Sequence, residues 1–261
     1  MNNILCVLAL VLALASCAES YNVQGASSVT SLDGNKIYLK AVKDNEMKAI
    51  DSCDVVHGKF QFNGVLDTVR MANLFVGEQS VMPIVLESGM ITINIDNAQQ
   101  VVSGTPLNDK LYKFLTKHNQ LDNQMSELSH RQSQMMLEGI EEDIINEELT
   151  LEAQKIAKEE DRLVTTFIVE NFDNVLGPGV FMMITSGYRY PILTPQIEDI
   201  MSKATDKFKS NPYVKDYYQA ATENEARMQG MAPEDNVAPA ETLQAQPDTP
   251  ADSVAAPALP Q

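Results

Sequence analysis

The sequence predicts an α+β protein, in which an N-terminal antiparallel β-sandwich or open barrel precedes a helical hairpin and several short helices. Three observations support this class. Apolar and polar residues alternate with a period of two between Tyr21 and Ser103, helix-like spacing begins at Thr105, and a proline-rich composition follows residue 231. We therefore divide the 261-residue chain into a lipoprotein signal peptide (1–16), a β domain (17–104), a helical domain (105–230) and a disordered tail (231–261).

The N-terminus carries a signal for export. Ile4 to Ala15 is an uninterrupted apolar run, which is shorter than the roughly 20 residues that span a bilayer but suits the apolar region of a signal peptide. Leu14-Ala15-Ser16-Cys17 resembles a bacterial lipobox, and this resemblance implies cleavage before Cys17 and acylation of its sulfur. Two or three acyl chains would hold the protein stably on a membrane. The simpler alternative is an ordinary cleaved signal in which Cys17 has no role.

Cys17 and its neighbours also predict a location. The second mature residue is Ala18 rather than Asp, which by the enteric sorting rule favours the outer membrane, and only Glu19 lies close behind as an acid. We therefore expect an anchor that faces the periplasm, with surface exposure left open. Cleavage removes Cys6 and lipidation consumes Cys17, so Cys53 is the one candidate thiol, and dithiol redox chemistry has no second sulfur.

Strands are predicted wherever apolar residues alternate with polar ones. The clearest sets are Ile37, Leu39 and Ala41; Phe60 and Phe62; and Ile91, Ile93 and Ile95. Turn signals separate these sets at Asp33-Gly34-Asn35, His57-Gly58, Asn63-Gly64 and Ser88-Gly89. His57-Gly58 fits a two-residue hairpin turn with positive φ at both positions.

A helical hairpin is predicted next. Thr105-Pro106 fits a helix start with a capping hydroxyl, Gly139 fits a break, and residues 140–172 fit a second helix that Gly177-Pro178-Gly179 ends. The two helices should pack antiparallel through their apolar faces. These faces are Leu107, Leu111, Phe114, Leu121, Met125, Leu128 and Met135 on the first helix, and Ile145, Leu149, Ile156, Leu163 and Phe167 on the second.

Shorter helices and a tail complete the chain. Thr194-Pro195 predicts a capped helix to about Lys209, and Asn211-Pro212 predicts another to about Met228. Residues 232–261 contain six prolines and no Lys, Arg or aromatic residue. Such a segment buries too little apolar surface to offset its ordering entropy, so we expect disorder.

The strand region resembles a known family at specific residues. Its central landmark is Asp51-Ser52 followed by Gly58-Lys59-Phe60-Gln61-Phe62-Asn63-Gly64. Further landmarks are Asp33-Gly34-Asn35-Lys36-Ile37-Tyr38-Leu39, Leu86-Glu87-Ser88-Gly89-Met90-Ile91 and Ser103-Gly104-Thr105-Pro106-Leu107-Asn108. Together they resemble DUF4369, a domain of unknown function in envelope lipoproteins of the Bacteroidetes type, where it commonly precedes a thioredoxin-like (TlpA-like) domain. The resemblance implies an envelope location and an accessory domain. The sequence contains no Cys-x-x-Cys motif, so we expect no thiol-disulfide catalysis from this chain alone.

The composition and the candidate reactive residues argue against several functions. The formal net charge of −17 disfavours nucleic acid and anionic lipid headgroups as partners. Three cysteines are too few for a disulfide framework or a cysteine-rich zinc site. His118 and His130 lie over three helical turns apart and cannot share a metal ion on one helix, and His57 is interpreted as a turn residue, so no metal site is expected from the histidines. The acidic runs at 141–143, 147–148 and 159–161 are interpreted as solvated helix faces rather than paired catalytic carboxylates.

Cys53 and two groups of larger side chains remain candidates for function. Cys53 is a redox-sensing thiol or, more simply, a half-buried strand residue, and the adjacent Asp51 and Asp54 should raise its pKa. Methionines and tyrosines could form an adaptable binding surface, although the simpler interpretation places both in the core. They are Met125, Met135, Met136, Met182 and Met183, with Tyr188, Tyr190, Tyr213, Tyr217 and Tyr218.

These observations predict a lipid-anchored, non-enzymatic envelope protein that acts as an interaction module, with no cofactor and no metal. Neither Gly-x-Ser-x-Gly nor His-Glu-x-x-His occurs in the sequence, and no spacing suggests a nucleophile with its base. The alternative function is an accessory or substrate-holding partner of a separate thioredoxin-like thiol-disulfide protein.

Overall fold

A computed structural model describes residues 19–43 and 46–230 of the protein. The predicted signal peptide, the predicted lipidation site Cys17 and the predicted tail lie outside these residues. Within them, strands occupy the first part and helices the second, which confirms the predicted α+β class.

In the described part of the chain, eight strands form two four-stranded sheets. The strands are β1 (Ser20–Ser27), β2 (Lys36–Lys43), β3 (Glu46–Asp54), β4 (Lys59–Val65), β5 (Arg70–Val76), β6 (Gln79–Leu86), β7 (Gly89–Ile95) and β8 (Gln100–Ser103). The first sheet has the order β4-β1-β7-β8 and the second β3-β2-β5-β6. Every pair is antiparallel except β1 with β7, which run parallel.

The alternating apolar residues form the core between the sheets. Val23, Phe62, Ile91 and Ile93 of the first sheet belong to the same buried cluster as Ile37, Leu39, Leu74 and Ile84 of the second sheet. Each of these side chains is at most 1% exposed. The period-two pattern therefore predicts the inward face of each sheet correctly.

The predicted His57-Gly58 turn is confirmed, and it connects the two sheets. The φ angles are 51° at His57 and 70° at Gly58. Val56 and Lys59 exchange both backbone hydrogen bonds across the turn, at 2.9 and 3.0 Å. Because β3 and β4 belong to different sheets, this hairpin carries the chain from the second sheet to the first.

The predicted turn at Asn63-Gly64 is wrong, because both residues lie inside β4. Gly64 faces Tyr21 across the β1–β4 pair, and a Cβ atom at Gly64 would lie 2.4 Å from the tyrosine oxygen. Gly25 has the same relation to the Phe60 ring, at 2.0 Å. Aromatic rings thus cover two strand glycines, so the Asn-Gly signal here marks close packing rather than a turn. The sequence analysis missed the β5–β6 turn at Gly77, where φ is 59°.

The helices are α1 (Pro106–Leu137), α2 (Glu142–Val169), α3 (Leu176–Thr185), α4 (Pro195–Lys203), α5 (Asp206–Lys209) and α6 (Pro212–Met228). The predicted hairpin of α1 and α2 is confirmed, with a break at Gly139, where φ is 78°. Cross-pairs of Lys117 with Glu159 and of Arg131 with Glu148 show that the two helices are antiparallel. None of the helices in the described residues is long and apolar enough to cross a membrane.

The apolar faces of the hairpin contribute to two separate cores. Near the sheets, Phe114 stacks on Phe167, and both belong to the main cluster that also contains the strand residues. Farther along the hairpin a second, smaller cluster forms, consisting of Leu121, Leu128, Ile145, Leu149 and Ile156. The main cluster continues through α3, α4, α5 and α6, so the β-sandwich and the later helices share one core.

Gly177-Pro178-Gly179 does not end the hairpin, as the sequence analysis expected, because it forms the start of α3. Proline is tolerated in the first turn of a helix. The two glycines permit close packing: a Cβ atom at Gly177 would lie 2.4 Å from the Asn171 carbonyl oxygen, and one at Gly179 would lie 2.7 Å from Met71 of β5. The motif therefore seats α3 against the second sheet.

The two later helix starts are confirmed, and one predicted helix is divided. The Thr194 hydroxyl accepts a hydrogen bond from the Ile197 N–H at 3.2 Å, and the Asn211 side chain accepts one from the Val214 N–H at 3.3 Å. The helix predicted to reach Lys209 ends at Lys203, because Ala204 has extended backbone angles and Thr205 caps the short α5.

Candidate functional site

The family landmark around Glu87 forms the joint between the sheets and α1. A Glu87 carboxylate oxygen accepts hydrogen bonds from the N–H groups of Leu107 and Asn108, at 2.8 and 3.0 Å. The capping group of α1 is therefore Glu87, and the predicted cap by the Thr105 hydroxyl is wrong. This hydroxyl instead accepts a hydrogen bond from the side-chain NH2 group of Asn108 at 2.9 Å. A carboxylate suits this position because a helix N-terminus carries partial positive charge.

Asn108 fastens the same helix to the end of β6. Its side-chain oxygen accepts from the Val85 N–H at 2.9 Å, and its side-chain nitrogen donates to the Val85 carbonyl at 2.8 Å. The carboxamide thereby makes the two hydrogen bonds with Val85 that a residue of a neighbouring strand would otherwise make. The sequence analysis singled out Glu87 and Asn108 as landmarks without a role, and the structure uses both for packing.

Cys53 is half-buried on β3 and makes no disulfide. Burial is the main cause that raises the pKa of its thiol, and the nearby Asp51 and Asp54 raise the pKa further. A backbone hydrogen bond with Gln61 acts in the opposite direction. The two carboxylates were predicted as causes from the sequence. Partial burial of Cys53 was also predicted, but not its effect on the pKa, which is the larger one. The protonated thiol is therefore favoured over the reactive thiolate.

The histidines and the acidic runs do not come together as a site. The His118 ring pairs with Glu160 at 3.2 Å, whereas His57 forms the hairpin turn. Within residues 19–43 and 46–230, no three His, Cys, Asp or Glu side chains lie close enough to hold a metal ion. The acidic runs instead supply partners to basic residues across the hairpin, where Arg131 contacts Glu148 at 2.8 Å.

The candidate methionines and tyrosines separate into different regions. Met125 and Met135 pack against the second cluster of the hairpin, and Met136 is exposed on the last turn of α1. Met182 and Met183 lie on α3. The structure thus divides the predicted binding surface.

The tyrosines divide in the same way. The Tyr217 hydroxyl bonds both backbone groups of Ile192, at 3.1 and 3.2 Å, and the Tyr213 hydroxyl lies 2.9 Å from the Thr185 hydroxyl. Tyr218 is half-buried against the core, whereas Tyr188 and Tyr190 are exposed. Tyr213 and Tyr217 also border a groove that contains Met182.

This groove lies between the second sheet and helices α3 and α6, and we call it the methionine groove. It consists of two cavities of about 690 and 240 Å³, both of which are lined by Val42, Met182 and Asn211. The smaller cavity is also lined by Met47, Met71 and Met183. Four methionines from two strands and one helix therefore line one continuous apolar depression.

Several side chains of the methionine groove are exposed to solvent. Val42 and Met47 are each 46% exposed, and Met183 is 39% exposed. Val42 lies on β2 beside the buried Ala41, so its side chain points away from the core between the sheets. Clustered exposed apolar side chains are typical of interaction surfaces, and methionine adapts to varied partners because it is flexible and polarisable.

Polar groups at defined positions accompany this apolar lining. Asn73 of β5 lines the smaller cavity, and Asp216 of α6 lines the larger one. Among the described residues, neither side chain has a hydrogen-bond or ion-pair partner. Arg70 also lines the smaller cavity, but its guanidinium contacts the Asp67 carboxylate at 2.9 Å.

The helical side of the groove was predicted from the sequence, and its strand side was not. Met182, Met183, Tyr213 and Tyr217 were candidates, whereas Val42, Met47, Asn73 and Asp216 were not. The available signal was Val42, an apolar residue at a position where the alternation of β2 predicts a polar one.

Comparison with known families places one domain in the chain. The model of DUF4369, a domain of unknown function, matches residues 21–111. This range contains the β-sandwich, the joint at Glu87 and Asn108, and the first residues of α1. It contains the strand side of the methionine groove and not its helical side. No curated protein matches the chain.

Proposed function

We propose that the protein is a lipid-anchored, non-enzymatic component of the cell envelope that binds another envelope protein through the methionine groove. The lipobox-like Leu14-Ala15-Ser16-Cys17 supports the anchor, and Ala18 supports an outer-membrane position facing the periplasm. The observation that supports binding most directly is the groove itself. Its side chains Val42, Met47 and Met183 are apolar and exposed to solvent, although polar side chains are expected at exposed positions.

Two further features favour binding over catalysis. The family landmarks Glu87 and Asn108 use their polar atoms for the joint of α1 with β6. Cys53 carries a thiol whose pKa is raised by burial, which opposes nucleophilic chemistry. The charge of −17 disfavours nucleic acid as the partner, and the exposed methionine lining of the groove favours an apolar protein surface.

The anchor is tested by lipid labelling. In the Cys17→Ala variant, incorporation of labelled palmitate should be lost, and the protein should leave the membrane fraction. The matched control is Cys53→Ser, which should retain the label. Continued labelling of the Cys17→Ala variant would remove the anchor from this proposal.

The groove is tested by cross-linking in intact cells. A photoreactive amino acid replaces Met183 in the groove or, as the matched control, Met90, which is 53% exposed on β7. A discrete adduct from position 183 alone, with its partner identified by mass spectrometry, is the expected result. Equal adducts from both positions, or none from 183, would contradict binding through the groove.

The identity of the cross-linked protein also tests the alternative function, that of an accessory to a thioredoxin-like protein. If the partner is a thioredoxin-like thiol-disulfide protein and Cys53→Ser prevents the adduct, the chain acts as an accessory to that protein. An adduct that forms equally with Cys53→Ser excludes a role for this thiol. We expect the second result because Cys53 does not line the methionine groove.

A further inference from the structure

The shape of the methionine groove restricts what it can bind. The two cavities meet at Val42, Met182 and Asn211, so the depression is elongated. Its lining comes from strands β2, β3, β5 and β6 and from helices α3 and α6. Such a trough suits a chain that lies along it rather than a compact molecule. This step rests on the proposed binding function of the groove.

Two asparagines give the groove a means of binding a peptide backbone. The Asn73 carboxamide is free, and the Asn211 carboxamide uses only its oxygen, which caps α6. A carboxamide offers a donor and an acceptor that match the N–H and C=O of one peptide unit. The same chain already shows this pairing, because Asn108 bonds both backbone groups of Val85 at 2.9 and 2.8 Å.

The charges of the groove are asymmetric. Arg70 in the smaller cavity is neutralised by Asp67 at 2.9 Å, whereas Asp216 in the larger cavity has no ion pair among the described residues. The unpaired carboxylate attracts a cation. The net charge of −17 acts in the same direction by disfavouring an acidic segment.

From these three features we propose that the methionine groove binds an extended, apolar polypeptide segment. Its side chains fill the cavities around Met182 and Met183, and the carboxamides of Asn73 and Asn211 bond its backbone. A lysine or arginine of the segment lies beside Asp216. The mode differs from the addition of a strand to a sheet edge, since the groove lies over the face of the second sheet.

The proposal is tested with synthetic peptides and the full mature protein in detergent. The parent probe is a fluorescein-labelled ten-residue peptide of alternating leucine and serine with one terminal lysine. A second peptide has glutamate in place of the lysine, and a third has methylated backbone nitrogens at its two central leucines. We expect saturable binding of the parent peptide by fluorescence anisotropy and about tenfold weaker binding of the methylated peptide, which lacks the donors.

Variants of the protein assign the effects to residues. Asn73→Leu should weaken binding of the parent peptide about tenfold and leave the methylated peptide nearly unaffected. The matched control is Asn94→Leu, an exposed asparagine on β7 of the other sheet, which should bind both peptides as the original protein does. Asp216→Lys should reverse the preference between the lysine and glutamate peptides.

Specific outcomes overturn the proposal. Equal affinity for the parent and methylated peptides would show that the backbone is not bonded. Complete displacement of the parent peptide by an equal concentration of a fatty acid such as palmitate would show that the groove prefers a lipid chain to a polypeptide, and would overturn the proposal in the same way. If no peptide binds while the cross-link from position 183 persists, the extended-segment proposal fails and the proposed function stands. If both fail, the groove is not a binding site.

Discussion

Asn108 shows how much one side chain contributes to this architecture. It is fully buried, and its carboxamide satisfies both backbone groups of Val85 at the end of β6. Glu87 completes the joint by accepting hydrogen bonds from the first N–H groups of α1. A buried backbone group without a partner costs about 1–3 kcal/mol, so the joint depends on this amide.

Replacement of Asn108 by leucine is therefore expected to destabilise the protein. Two backbone groups of Val85 lose their partners, so the free energy of unfolding should fall by about 2–6 kcal/mol in urea denaturation. The matched control is Asn119→Leu, an exposed asparagine on the same helix, which should change it by less than about 0.5 kcal/mol. Similar results for the two variants would show that the joint contributes little.

The second prediction at this scale concerns Cys53. Burial raises the pKa of the thiol, so less thiolate exists at pH 8 than in an unfolded chain. Alkylation by iodoacetamide, followed by mass spectrometry of the Cys53 peptide, should therefore be slower in the folded protein than in urea at the same pH. The folded rate should approach the unfolded rate only as the pH rises above the ordinary thiol pKa. Faster alkylation of the folded protein than of the unfolded protein at pH 7 would contradict a raised thiol pKa.

The α1–α2 hairpin is the element with the most independent structure. Its distal part has its own small cluster, in which Leu121 and Ile145 are fully buried. The ion pairs across it involve exposed side chains, and each contributes at most about 1 kcal/mol. Apolar contact rather than charge therefore holds the distal hairpin together.

Leu121→Ala should loosen this element selectively. The lost contacts and the resulting cavity cost about 2–5 kcal/mol. Because the second cluster is separate from the main core, hydrogen exchange should increase within the distal hairpin more than in the strands. The control is Leu151→Ala on α2, where the leucine is 55% exposed and little change is expected. Uniformly faster exchange throughout the protein would show that the two clusters unfold together.

Elements also show where sequence reasoning succeeds and where it fails. The faces of α1 and α2 and the caps Thr194 and Asn211 are correct because spacing and capping are local properties. The predictions for Gly177-Pro178-Gly179 and Asn63-Gly64 are wrong because Gly179 and Gly64 provide space for distant side chains, those of Met71 and Tyr21. No local pattern distinguishes a glycine needed for a turn from one needed for close packing.

At the scale of the whole molecule, the sandwich and the later helices share one core. Phe181 of α3 is fully buried and meets the rings of Phe208 and Tyr217 edge-on, with centroids 5.7 and 5.5 Å apart. The same cluster contains the strand residues between the sheets, and Gly179 brings α3 onto Met71 of β5. Residues 17–104 and 105–230 were predicted as two domains. In the described residues, buried side chains from both ranges belong to one hydrophobic cluster.

A shared core predicts cooperative unfolding of the sandwich with the later helices. Phe181→Ala should lower the free energy of unfolding by about 3–5 kcal/mol, and hydrogen exchange should accelerate in the strands as well as in α3 to α6. The matched control, Tyr190→Ala, removes a ring that is 51% exposed and should have little effect. Faster exchange confined to the helices would contradict a single cooperative unit.

The sequence by itself determined the α+β class, the order of strands and helices, and the inward faces of both, because periodicity and capping depend on near neighbours along the chain. Only the tertiary structure decided that Glu87 caps α1, that Asn108 pairs with Val85, and that Val42 and Met182 line one cavity. These partners lie between about 20 and 140 residues apart, and residues at such separations meet only when the sheets and helices pack.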